Sequence, residues 1–429
     1  MNSGDVAWIL AASALLCIMI PGLALFYGGM VGSRRILNMM MMCFGGMSIV
    51  AVLWAVFGYS LVFGNSVAGA GIIGDVTEYL GLDKLLAADP AAALPGALFA
   101  AFQLFFAGIT TAIIAGAAAG RMKFGAWMAF SALWATLVYF PVAHWVFAFS
   151  SSDGSVVGGW IVNNLKAIDF AGGTAVHMNA GIASLALAIV LGRSAGWPKS
   201  EHTKPHSRPL VLVGAGLLWA GWFGFNAGSA LTAGQSASVV FLNTAVAGAA
   251  GLLAWAAVER VRLGSASSMG AASGLIAALV AITPACGAVS PLGALAIGAI
   301  AGAVCSLAIE LKFRLGFDDS LDVVGVHLVG GIIGTLLIGF FATAAAPNKV
   351  NGLFYGGGFG LLGIQSVATL AVLGYSFVVT WVIAKILNIT MGLRIHEADE
   401  LRGIDMAAHA EEAYLSDEEP VELGSPHRA

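Results

Sequence analysis

Two histidines set in apolar sequence are where this chain can do chemistry. They close the stretches Asp169-Phe170-Ala171-Gly172-Gly173-Thr174-Ala175-Val176-His177 and Asp319-Ser320-Leu321-Asp322-Val323-Val324-Gly325-Val326-His327, each His eight residues after an Asp. An Asp where a helix should start suits the N-cap, accepting hydrogen bonds from orphan backbone N–H groups. Eight helical residues rise about 12 Å, and half a hydrocarbon core is about 15 Å. If each Asp marks a membrane surface, each His falls near the bilayer midplane. A titratable group there is costly and marks a functional site by default. Neutral imidazole both donates and accepts, and apolar burial disfavours imidazolium. Two adjacent neutral rings can share one proton and leave an acceptor facing a pore. That suits a small molecule with N–H groups, or a proton relay. The competing readings are two unrelated core histidines bonded to local carbonyls, and a metal pair, for which no third Cys, His or carboxylate stands nearby at ligand spacing.

The elements that must position these rings follow from composition. The chain has 429 residues, 59% of them hydrophobic and 10% charged, with a mean hydropathy of +0.90. Soluble domains carry about 25% charged residues. The fold class is therefore an all-α polytopic membrane protein set in lipid. Its many glycines and alanines suit close helix packing there. The scattered Lys and Arg offer no groove for nucleic acid. Cys17, Cys43, Cys286 and Cys305 lie in apolar runs without a C-x-x-C pair and read as small hydrophobes rather than a disulfide framework or metal site. No nucleophile elbow, phosphate loop or metal motif argues for an enzyme or a cofactor.

Apolar runs broken by polar punctuation predict eleven transmembrane helices. They lie near 7–31, 38–63, 94–119, 125–149, 170–191, 210–231, 238–258, 268–284, 291–311, 321–343 and 357–387. The eighth is short, ends at Thr283-Pro284 and is expected to be irregular or tilted. The odd-to-even connections, the last span and the tail hold sixteen of the nineteen Lys and Arg, leaving Lys84, Lys166 and Lys349 for the other face. That bias predicts the N-terminus outside and the C-terminus cytoplasmic. The first run follows no basic segment and reads as a retained span rather than a cleaved signal peptide. The two Asp-to-His stretches open spans five and ten. Five spans per half place the second half upside down, giving two inverted five-helix repeats with the site at the midplane between them. The expected division is 1–191 and 210–343 for the half-repeats, 192–209 for a cytoplasmic connector, 344–387 for a loop and bracing last helix, and 388–429 for a cytoplasmic tail.

Aromatics form the second constellation. Phe102, Gln103, Phe105 and Phe106 lie in span three. Trp222, Phe223 and Phe225 precede Asn226 to Ser229 at the outer end of span six. Trp145 and Phe147 end span four on the same face. Aromatic faces with a hydroxyl can select a small cation; an interfacial aromatic belt gives the same spacing. Asp169 is expected to cap its helix, with an indirect role in shaping the vestibule. The tail reads on composition as disordered and acidic.

At these residues the chain resembles the ammonium transporter family (Amt/Mep/Rh), and within it the bacterial Amt branch. The matching strings are Pro21-Gly22-Leu23-Ala24-Leu25-Phe26-Tyr27-Gly28-Gly29, Asp169 to Gly173, Gly221 to Ser229, Thr283-Pro284-Ala285-Cys286-Gly287 and Asp322 to His327, spread over the whole membrane part. The resemblance implies a homotrimer in the bacterial plasma (inner) membrane, with one pore per subunit for ammonium or methylammonium. It implies an outer site with Ser229, Phe106, Phe147 and Trp145, supported from below by Asp169. Phe106 and Phe225 would form a gate, and His177 and His327 a hydrophobic pore pair, with Trp222, Asp319 and Asp322 in support. Phe147 stands where the family usually has Trp. Phe is a weaker cation–π partner, so weaker outer binding is expected unless Trp145 reorients to compensate. Gly120-Arg121 stands where many relatives have Glu-Arg. The tail also matches, in Gly392-Leu393-Arg394, Gly403-Ile404-Asp405 and His409-Ala410-Glu411-Glu412-Ala413-Tyr414. That match implies packing across neighbouring subunits and docking of a PII-type regulatory protein, with disorder kept beyond Tyr414. Ala410 replaces a common glycine, so the local turn is expected to differ. Two other readings stay open: a channel for a neutral gas such as carbon dioxide, and an ammonium sensor on the same fold.

Overall fold

The computed structural model describes residues 2–87, 92–198 and 204–414. The disorder expected beyond Tyr414 lies outside them. The chain is built from membrane-length helices: α1 (Ser3–Met30), α2 (Ile36–Phe63), α3 (Gly96–Ala118), α4 (Phe124–Phe147), α5 (Gly173–Leu191), α6 (Arg208–Gly228), α7 (Gln235–Leu263), a shorter α8 (Ser268–Ile282), then α9 (Pro291–Leu315), α10 (Val324–Phe341) and α11 (Gly360–Thr390). Among the described residues, ten are long and apolar enough to cross a membrane. The exception is α8, with 15 residues. At about 1.5 Å per residue it falls short of a hydrocarbon core about 30 Å thick. A buried, non-helical turn from Thr283 to Val289 completes it. Irregular backbone is tolerated at membrane depth only where protein covers it, and here the turn reaches toward the histidines. The eleven expected spans, including the irregular eighth, are all present.

The two halves repeat one contact pattern. In the first, α2 packs on α3 and α4, and α3 on α5; in the second, α7 packs on α8 and α9, and α8 on α10. The halves join most extensively through α1 and α6. A Cβ on Gly214 of α6 would lie 2.3 Å from the Phe26 backbone nitrogen, so glycine there lets the two backbones touch. Because each half crosses five times, an odd number, the second is inverted. The bracing role expected of the last helix is met: α11 packs against α4, α5 and α10.

The tail is ordered as far as Tyr414, which corrects the reading from composition. It forms α12 (Glu397–Arg402) and α13 (Ile404–His409). The Asp405 carboxylate accepts from the backbone N–H of Asn38 at 2.7 Å and Leu37 at 3.1 Å. It thereby caps α2, whose own N-cap residue Arg35 makes no side-chain cap. Glu400 is fully buried and accepts from the Ala195 N–H at 2.8 Å and from Arg394 at 2.7 Å. Backbone bonds from Lys123 to Leu393 and from Ile395 to Arg121 fix the tail to the α3–α4 connection. Ala410 adopts a left-handed conformation, φ +56°, at a cost of about 1 kcal/mol for a residue with a Cβ.

Candidate functional site

The site is assembled by two broken helices. Asp169 accepts from the backbone N–H groups of Gly172 at 2.8 Å, Gly173 at 2.6 Å, Thr174 at 2.8 Å and Ala175 at 3.2 Å, and from the Thr174 hydroxyl. Capping, the role expected of it, occupies both carboxylate oxygens. Gly172 carries φ +113°, open to glycine alone without strain. Asp319 caps the other helix through the N–H groups of Val323 at 3.0 Å and Val324 at 2.7 Å. Burial pushes its carboxyl up to about 6, against the opposing pull of Lys312. Asp322, in the left-handed region, forms an ion pair with Lys312 at 2.6 Å. Each cap is followed by one widened π-type turn, Gly173–Met178 and Val324–Leu328, and each such turn carries its His. Turns of this kind are rare and concentrate at functional sites.

The two rings meet. His177 and His327 stack at 5.4 Å between centroids, 27° from parallel, with their Nδ1 atoms 3.3 Å apart. Both are buried, and His177 Nε2 has no hydrogen-bond partner among the described residues. Phe225 continues the stack at 5.9 Å from His177, and Phe106 stacks on Phe225 at 4.2 Å. Trp222 flanks His177 at 5.3 Å, fixed by its indole N–H to the Thr283 hydroxyl at 2.8 Å. The irregular end of α8 thus orients Trp222 against the ring pair.

Outside Phe106 lies a cavity of about 360 Å³ lined by, among others, Gln103, Phe106, Phe147, Lys166, Asp169 and Ser229. Ser229 donates its hydroxyl proton to the Phe225 carbonyl at 2.8 Å, which leaves its oxygen to accept from a guest. Phe147 meets Phe106 edge-on at 6.2 Å. Ser229, Phe106, Phe147 and Asp169 are therefore brought together as expected. Trp145 is not, which corrects its expected place in the outer site. Its ring packs on Tyr375 at 4.8 Å and Trp160 at 5.9 Å, and its N–H is bonded to the Ile72 carbonyl at 2.8 Å. Residues two apart on a helix do not share a face, so with Phe147 turned to the cavity, Trp145 turns behind it. Sequence reasoning gave no site role to Lys166 or Asn348, which also line the cavity. Both sit in loops, where helical periodicity places nothing. The one signal was Lys166 as an outward exception to the charge bias.

The sequence model of the Ammonium Transporter Family matches residues 7–414. The chain is 55% identical over 437 residues to a Mycobacterium tuberculosis protein described as an ammonium transporter, covering 96% of this chain and 90% of that one. Among solved structures it is similar to Candida albicans Mep2, with TM-score 0.84, 34% identity and coverage of 99% and 93%. It is also similar to a chain described as a sensor Amt protein, with TM-score 0.85, 27% identity and coverage of 95% and 98%.

Proposed function

This chain belongs to the Ammonium Transporter Family, and we propose that it moves ammonium by deprotonating it at the outer cavity and passing ammonia along the ring stack. The observation that carries this reading is the continuous series Phe106, Phe225, His177, His327 leading inward from the cavity. Aromatic faces attract a cation, and the Ser229 oxygen is positioned to accept an N–H. A bare cation entering the dry stack meets a large desolvation cost, so the neutral molecule passes and the proton travels separately. The histidine pair supplies the route. One proton between the two Nδ1 atoms leaves one ring with Nε2 as acceptor and the other with Nε2–H as donor. When a proton arrives at the accepting Nε2, the shared proton shifts to the second ring and that ring releases its own Nε2 proton; the roles are then exchanged, so the pair is a relay. Transport is then electrogenic. The same reading includes a homotrimer with one pore per subunit, an inner-membrane location with the N-terminus outside, and a cytoplasmic tail that meets a PII-type protein.

Solid-supported membrane electrophysiology on proteoliposomes tests it. Ammonium pulses are expected to give currents, and carbon dioxide pulses none. Methylammonium uptake without current would instead make the protein a passive conduit for the neutral species. The likeness to the sensor Amt protein supports a second reading, signalling through the tail. Truncation after Leu387 that keeps transport yet abolishes a downstream nitrogen response would favour it.

Two side chains tune the outer site. Phe147→Trp is expected to lower the half-saturating ammonium concentration about two- to fivefold, since exposed cation–π contacts contribute about 0.5–1 kcal/mol. Unchanged saturation would mean that residue 147 does not face the cation. Lys166 places a like charge on the same cavity. A like charge about 8 Å away in water costs about 0.5 kcal/mol. Lys166→Gln is therefore expected to tighten apparent affinity about twofold at low salt, and the gain should vanish near 1 M salt. A gain that survives high salt would refute the electrostatic account.

A further inference from the structure

A cavity of about 440 Å³ opens on the cytoplasmic face between the α1–α2 turn, the segment entering α6, and α12. Its lining includes Ser33, Arg34, Arg35, Lys204, His206 and Arg402 and, among the described residues, no carboxylate. These groups come from three separate parts of the chain, so the tertiary fold creates the cluster. Arg35 is buried and held by donation to the Glu400 carbonyl at 2.8 Å. His206 is held through Nδ1 on the Val31 carbonyl at 2.8 Å, with its Nε2 at 3.0 Å from the Tyr414 hydroxyl. The guanidiniums of Arg34 and Arg402 are exposed and have no hydrogen-bond or ion-pair partner among the described residues. Asp405, Glu411 and Glu412 line a second cavity that shares Arg34 and Arg402 with the first. Asp405 is committed to the α2 N–H groups, and neither glutamate pairs with either arginine.

We propose that this cavity is a binding site for a phosphate-bearing anion, bridging Arg34 on the first cytoplasmic turn to Arg402 on the tail. Guanidinium forks match phosphate oxygens bidentately, and the Ser33 hydroxyl adds a donor. The volume suits a small ligand. Because the anion contacts both the tail and the membrane domain, its binding favours the docked tail by linkage. A soluble phosphate compound and a phospholipid headgroup share this chemistry.

Pyrophosphate titrated into the full-length protein in detergent, followed by calorimetry, is expected to bind with Kd below about 1 mM. Arg34→Gln or Arg402→Gln should each weaken binding about tenfold or more. Hydrogen exchange over residues 397–409 should slow on binding in the wild type and not in the variants. In nanodiscs, slowed exchange with phosphatidylglycerol but not phosphatidylcholine, before any pyrophosphate is added, would identify a headgroup as the source. Absence of pyrophosphate binding in detergent together with identical exchange in the two lipids overturns the proposal, as does binding of equal strength in both variants.

Discussion

Replacing His177 or His327 by alanine lowers the ammonium-triggered current about a hundredfold or more, the scale on which a positioned proton-transfer group contributes. The two rings share a single Nδ1–Nδ1 contact at 3.3 Å. Removing either leaves the other with no partner for that nitrogen and breaks the exchange of donor and acceptor roles. The double variant should be no worse than the single ones, because groups that act as a unit do not add. The fold should survive, since both helix starts are held by Asp169 and Asp319 rather than by the rings. Size-exclusion profile and helical circular dichroism check that, and isotopic methylammonium uptake runs beside the currents. Wild-type flux of both substrates in both single variants would remove the relay.

Arg121→Ala lowers stability by about 3–5 kcal/mol, the cost of breaking a buried ion pair from one side. Its guanidinium is fully buried. It pairs with Asp318 at 3.3 Å and donates to the Ala117 carbonyl at 2.8 Å, the Asp318 carbonyl at 2.6 Å and the Ser320 hydroxyl. Burial would raise the Asp318 carboxyl, but Arg121, together with the Ser194 N–H and hydroxyl, holds it below its usual value. Without Arg121 a buried carboxylate loses its counter-charge. The Ile395 N–H bond to the Arg121 carbonyl ties the tail to the same residue. That bond uses the backbone carbonyl and survives the substitution, so the tail should stay protected from protease and the ring stack intact. A melting temperature in detergent equal to that of the wild type would contradict this account.

Glu400 and Phe147 show why parts of the molecule were hidden from the sequence. Nothing in the charged run from His396 to Glu412 says that Glu400 is fully buried. Its partners, the Ala195 N–H and Arg394, come partly from a distant connection, and only such partners make burial of a carboxylate tolerable. The resemblance, rather than the composition, anticipated an ordered tail. For the outer site, the sequence offered Trp145 and Phe147 as equals. Which of the two faces the cavity depends on the rotation of α4, and packing against Trp160 and Tyr375 sets it.

Span number, the charge bias, and the depth of each histidine below its Asp were fixed by the sequence, because hydropathy, loop charge and helical rise are local quantities. The expected starts at 38, 125 and 321 stand beside Ile36, Phe124 and Val324. That the two imidazoles touch, that Thr283 reaches Trp222, and that Arg34 meets Arg402 in one basic cavity were decided by the tertiary structure alone. Those contacts join residues far apart in the chain, and only the packing of helices against one another brings them within hydrogen-bond or van der Waals range.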